Sequence, residues 1–297
     1  MIKNLAGVFP VAVTPFTKEG KFDFDAAKKH LDWLIDSGVH GLCILGATGE
    51  YLSISNEEHK EYVREIVPYV ADRVPVIVGV TRERPDEVID LMRNAQKYGA
   101  SAAMVLSPYY CHPNQEEIYE NYRYITENCD LPIMIYNNPG SASVDINHDT
   151  LKKLFQLKNA VLMKESTGDI KRTTEAVLMA PSNINVFCGC DALAMESFLV
   201  GTKGWISMMA NVAPKDCIAL YEAAAIEHDI PKAKEIYKKL LPGLYILEEY
   251  GKSPQILKYI LKKEKGLNMG YCRRPRMELT DEDKAYIDAN FHADKLS

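Results

Sequence analysis

The chain has 297 residues, 47% of them apolar, and a formal charge of −6, so it is long enough to bury a large core and too acidic to track a nucleic-acid backbone. No Lys/Arg cluster offers a local phosphate stripe, and no stretch approaches the length that crosses a bilayer, so neither nucleic acid nor membrane is an expected partner. The length admits two domains or one α/β barrel.

From the start to about residue 210, short β-branched runs alternate with longer amphipathic segments, which predicts βαβ units around a parallel sheet. Eight strands are expected near Val8–Val13, Leu42–Leu45, Val76–Gly79, Ala102–Leu106, Ile133–Tyr136, Val161–Lys164, Ile184–Phe187 and Trp205–Ser207. Helices fit between them at Phe24–Ser37, Asn56–Ala71, Pro85–Tyr98, Gln115–Asn128, His148–Gln156, Asp169–Met179 and Ala192–Val200. Ser55-Asn56 ahead of Glu57-Glu58 reads as an N-terminal cap, and Gly38 and Gly99 supply left-handed closures. Eight such units pack best as a (β/α)8 TIM barrel over residues 1–212, with a doubly wound open sheet as the alternative. From Ala213 the pattern is helical only, at Lys215–Glu227, Pro231–Tyr250, Pro254–Lys263 and Asp281–Phe291, so residues 213–297 form a C-terminal helical region packed on the barrel or on another subunit.

Seven cysteines make an odd count, mostly in apolar stretches, which suits reduced thiols in a cytoplasmic protein. Cys188-Gly189-Cys190 is one residue shorter than a Cys-x-x-Cys pair, and the seven histidines include no pair at metal-binding helical spacing, so no metal is expected. The opening Met1-Ile2-Lys3-Asn4-Leu5 has no apolar core of a signal peptide.

Lys164 stands at the end of the apolar run Asn159–Met163. Burying an ammonium is costly, so the fold should lower its pKa or let its head reach open space, and a desolvated amine is a nucleophile for carbonyls. Other motifs also follow apolar runs: Gly-Ala-Thr-Gly-Glu at Gly46–Glu50, Pro108-Tyr109-Tyr110, Tyr136-Asn137, and Gly189 after the seventh strand. In a barrel all of these reach the catalytic rim at the carboxyl ends of the strands. Taken singly, each has a plainer reading: glycines that permit a turn, a core tyrosine, interface packing by Tyr109-Tyr110. Glu50 and Glu165 read as structural, capping amides or holding lysines.

These motifs, in this order, resemble the dihydrodipicolinate synthase and N-acetylneuraminate lyase family of Schiff-base lyases, from Val13-Thr14-Pro15-Phe16 through Ala210-Asn211-Val212. The resemblance implies that Lys164 in its neutral form condenses with the ketone of a 2-oxo acid, typically pyruvate, and that Tyr136 relays protons. It implies that Thr48 and the backbone around Ala47 hold the substrate carboxylate, and that the backbone at Gly189 and Ile206 approaches the keto acid. It further implies that Tyr110 reaches the neighbouring site of a homotetramer built from tight dimers, and that no cofactor is needed. Two positions depart from the synthase pattern. Ala47 replaces a threonine that would pass a proton, and Ser141 replaces an arginine that would grip the carboxylate of the aldehyde substrate. The expected activity is a Schiff-base-forming lyase, whether aldolase, dehydratase or deaminase, on a small 2-oxo acid or cyclic imino acid. The alternatives are 4-hydroxy-tetrahydrodipicolinate synthase, N-acetylneuraminate lyase, and a non-catalytic keto-acid-binding regulator.

Overall fold

The computed structural model describes residues 5–70 and 72–297; Met1–Asn4, and Ala71 where the sequence predicts the second helix to end, lie outside the described residues. Eight strands, β1 (Gly7–Pro10), β2 (Leu42–Ile44), β3 (Val76–Gly79), β4 (Ala102–Leu106), β5 (Ile133–Asn137), β6 (Ala160–Glu165), β7 (Asn185–Cys188) and β8 (Gly204–Ser207), form one parallel sheet in the order β1-β8-β7-β6-β5-β4-β3-β2. The bridge between Val11 and Cys43, with Ala12 N donating to Cys43 O at 2.8 Å, joins the chain just after β1 to β2, the two ends of that order, and rounds the sheet into the expected (β/α)8 barrel.

Helices α1 (Phe24–Asp36), α2 (Asn56–Val70), α3 (Pro85–Lys97), α4 (Gln115–Asn128), α5 (Pro139–Ala142), α6 (His148–Leu154), α7 (Ile170–Met179) and α8 (Ala194–Leu199) surround it. Their caps follow the local chemistry. Ser55 and Glu58 exchange hydrogen bonds with each other's backbone N–H at the start of α2, and Asn114 and Glu117 do the same at α4. Gly38 and Gly99 take φ of 93° and 90° after α1 and α3, as the sequence predicts. The single turn α5 was not predicted; the Asn138 side chain caps it by accepting from Ser141 N, and Pro139 opens it.

The C-terminal region folds as α9 (Pro214–Tyr221), a π turn over Glu222–Ile226, α10 (Ile230–Glu249), α11 (Ser253–Glu264) and α12 (Asp281–Asn290). Its apolar stripes merge with Val8, Cys188 and Trp205 in one cluster, so these helices share a core with the barrel wall. A second cluster lies between strands and outer helices, and a third, with Phe9, Ile77, Met134, Leu162 and Phe187, fills the barrel interior. Among the described residues no helix is long and apolar enough to cross a membrane.

Two histidines are buried in this scaffold. His30 is only 1% exposed, and His59 is held through Nε2, 2.8 Å from Gly79 O. Burial depresses both from the ordinary 6.5 to about 4. The unfolded chain therefore binds more protons between those values, and stability is complete above pH 6.5 and falls as pH drops toward 4. Together the pair should cost up to about 2.7 kcal/mol per pH unit within that window. Urea unfolding across it would read this as a falling midpoint; a flat profile would show that neither ring stays neutral in the fold.

Candidate active site

Tyr136 and Lys164 meet because neighbouring strands set them side by side. Met134 and Tyr136 on β5, and Leu162 on β6, belong to the interior cluster, and Lys164 lies two residues beyond Leu162 on the same face. The β5–β6 register pairs Tyr136 with Lys164. It does so through a bulge: Ile133 pairs with Ala160 but Met134 with Leu162, leaving Val161 unpaired. Were Val161 to take a place in the ladder, Met163 would stand opposite Tyr136 and the amine would turn to the outer face.

The lysine head is only 7% exposed, with Nζ 4.2 Å from the centroid of the Tyr136 ring. Asn138 Nδ2 donates to the Tyr136 hydroxyl at 2.8 Å, which leaves the phenol proton free to point elsewhere. Asn138 thus ties α5 to the phenol, a role that its place in the Tyr-Asn-Asn-Pro run does not announce. Burial pulls the Lys164 ammonium down, but Tyr136 and Cys43, then Asp191, outweigh burial and hold it above the ordinary lysine value. The polar groups gathered around the head favour its charged form more than the barrel interior disfavours it.

Gly189 packs against the lysine. A Cβ at this position would lie 1.9 Å from Ser166 Oγ, 2.7 Å from Lys164 Cε and 2.8 Å from Glu165 O, so only glycine lets β7 pass this close. Ile206 is buried in the interior cluster on β8.

The Gly46–Glu50 turn closes β2. It is bracketed by Leu45 and Glu50, both left-handed at φ 56° and 61°, a conformation that surrounding contacts must hold in non-glycine residues. Thr14 donates its hydroxyl to Gly49 O at 2.8 Å. Glu50 has the expected structural role: its carboxylate accepts Lys258 Nζ at 2.7 Å and Arg273 N at 2.9 Å, anchoring the turn to α11 and the segment after it. Glu165 is structural as well, accepting Thr167 N at 2.7 Å and Asn137 Nδ2 at 3.1 Å. Ala47 is exposed, while Thr48 is buried with no hydrogen-bond partner for its hydroxyl among the described residues.

A cavity of about 670 Å³ opens over this rim, lined by Gly46, Ala47, Tyr136 and Ser141 from the barrel and by Gln255, Arg276 and Met277 from the C-terminal region. Its wall reaches Tyr136 and stops short of Lys164, so a ligand must come past the phenol to touch the amine. Tyr110 lies apart from this cavity within the chain, on the loop after β4, and is 83% exposed. Glu83 fixes that loop by accepting Tyr109 N, Tyr110 N and Cys111 N at 3.0, 3.2 and 2.8 Å. Burial raises the Glu83 carboxyl, but these three donors overcome it and hold the group below the ordinary carboxylate value.

Asp191 was not singled out in the sequence. It is buried after β7 and accepts Trp205 Nε1 at 2.6 Å and the N–H groups of Met208 and Met209 at 2.9 and 2.8 Å, joining the loops that follow β7 and β8. Burial and the nearby Glu248 push its carboxyl up to about 7. No run or spacing marks this aspartate, or Gln255 and Arg276, as part of the site. Among the described residues no cluster of His, Cys, Asp or Glu is arranged to hold a metal ion.

A parallel barrel that buries one lysine amine beside a phenol, at the carboxyl ends of adjacent strands, has the architecture of a Schiff-base lyase. The sequence profile of the dihydrodipicolinate synthetase family matches residues 4–293, and the chain belongs to that family. The 4-hydroxy-tetrahydrodipicolinate synthase of Bartonella bacilliformis is 36% identical over 293 residues, covering 96% of each chain. The synthase of the same name from Cereibacter sphaeroides is 37% identical over 287 residues, 96% of this chain and 97% of that one. The structure of dihydrodipicolinate synthase from Acinetobacter baumannii complexed with pyruvate superposes with a TM-score of 0.92 at 31% identity, covering 99% of this chain and 100% of the other. Like these relatives, the protein is a lyase.

Proposed function

We propose that Lys164 forms an imine with pyruvate or another small 2-oxo acid or cyclic imino acid, and that the protonated imine serves as the electron sink for aldol cleavage, dehydration or deamination. The observation that carries this reading is the buried Nζ 4.2 Å from the ring of Tyr136, which itself lines the cavity. The amine loses a proton, attacks the keto carbon, and water leaves as the C=N bond forms. Tyr136, its oxygen steadied by Asn138, carries protons to and from the reacting atoms. The unpartnered Thr48 hydroxyl and the amides of the Gly46–Gly49 turn receive the substrate carboxylate, and Gly189 and Ile206 bound the keto acid. Tyr110, exposed on its clamped loop, completes a neighbouring copy's site in a tetramer, and seven free cysteines suit a reducing cytoplasm.

A second reading, condensation of pyruvate with aspartate semialdehyde, is favoured by the names of the relatives. Against it stand Ala47, which has no hydroxyl to pass a proton, and Ser141, which is exposed and offers no guanidinium. Borohydride reduction with pyruvate should leave a permanent adduct on Lys164 by peptide mass mapping. A binder without catalysis would leave none. A panel of sugar-derived keto acids, pyrroline carboxylates and aspartate semialdehyde, run on wild type and Ser141→Arg, then ranks the substrates. If the semialdehyde with pyruvate is the best pair for wild type, the weight given to Ala47 and Ser141 is misplaced.

The raised Lys164 pKa fixes a sign. Only the free amine attacks, so below that pKa its fraction, and the rate of adduct formation, should rise about tenfold per pH unit. A stopped-flow profile that is level from neutral to mildly alkaline pH would show a resting amine that is already neutral.

A further inference from the structure

The cavity carries chemistry that a three-carbon acid at Lys164 would not use. Of the side chains on its wall, two are charged, Glu50 and Arg276. Glu50 is already occupied by Lys258 and by Arg273 N. Arg276 is half-buried, and its guanidinium makes no hydrogen bond or ion pair with any described residue. A guanidinium on the cavity wall with no partner among the described residues is free to pair with an anion that a ligand brings.

We infer that Arg276 is a specificity-determining residue that receives a second anionic group of the substrate, distinct from its 2-oxo carboxylate. This rests on the lysine-imine reading above. Tyr136 and Arg276 line the same cavity of about 670 Å³, far larger than a three-carbon acid needs, so a longer 2-oxo acid held at Lys164 can extend along it, and a guanidinium fork suits a carboxylate or phosphate. The substrate class is then a 2-oxo acid that carries a second anion away from its keto end.

The test compares three 3-deoxy-2-oxo acids of one chain length, ending in carboxylate, phosphate or hydroxymethyl, on wild type, Arg276→Met, Arg276→Gln and Arg276→Lys. Wild type should prefer one of the two anionic ends to the neutral end by at least about tenfold in kcat/KM, the better of the two naming the anion. Arg276→Met and Arg276→Gln should collapse that ratio by at least about tenfold, mainly through KM, and Arg276→Lys should restore part of it. No preference in wild type, or a ratio that survives both neutral variants, overturns the inference. Borohydride trapping with pyruvate on wild type separates the two failures. If the Lys164 adduct forms and the ratio does not move, only the role of Arg276 falls, and if no adduct forms the imine reading falls with it.

Discussion

Lys164→Met should abolish the borohydride-trapped adduct and lower kcat/KM by at least about 10³-fold, while the barrel still folds. Methionine matches the length of the lysine stem, so the interior beside Tyr136 and Gly189 stays filled and only the reacting nitrogen is lost. The loss should fall on kcat and on adduct formation together, because among the described residues no other amine lies against the Tyr136 ring. Circular dichroism and thermal unfolding check the fold, and single-turnover trapping checks the chemistry. Turnover within about tenfold of wild type would place the reaction on a different group.

Gly189→Ala should do nearly as much damage with a single methyl. The added carbon meets Ser166 Oγ, Lys164 Cε and the Glu165 carbonyl, all inside van der Waals range. The serine hydroxyl can rotate, but the carbonyl belongs to β6 and already accepts Gly189 N at 2.8 Å. Relief must come from β7 sliding off β6 or from Lys164 swinging off its line to the cavity. Overpacking of this kind costs about 1–3 kcal/mol of stability, and a displacement near 1 Å at the reacting atom costs about 10²-fold in rate. Full kcat with an unchanged melting temperature would show that β7 and β6 part here without consequence.

Much of the fold was legible because each strand announces itself twice, by a β-branched run and by the glycine or polar cap that ends it. Leu42, Val76, Ala102 and Ile133 begin their strands where the sequence places them, and Lys164 lies near the end of β6 as expected. The first strand ends as a ladder at Pro10 rather than continuing to Val13, because Val11 leaves it to make the single bridge to Cys43. The predicted helix from Ala192 starts instead as a 3₁₀ turn at Asp191, whose carboxylate turns back toward the loop after β8. Asp191, Gln255 and Arg276 escaped the sequence reading because what each does depends on a partner far along the chain or on the shape of a cavity, whereas Asn138 acts on Tyr136 only two residues away, through a turn whose geometry the run does not reveal. The surroundings of Lys164 are legible only in part for the same reason. Burial is readable from its apolar run, whereas the groups that oppose burial come from other strands.

The unpaired Val161 also governs how freely this chain can vary in length. With Ala160 still facing Ile133, losing position 161 would leave a regular ladder with the same partners for Leu162, Met163 and Lys164. Slack of one residue between α6 and β6 can therefore be taken up ahead of the amine, and relatives that differ there by a single insertion or deletion can keep the nitrogen aimed at the same phenol.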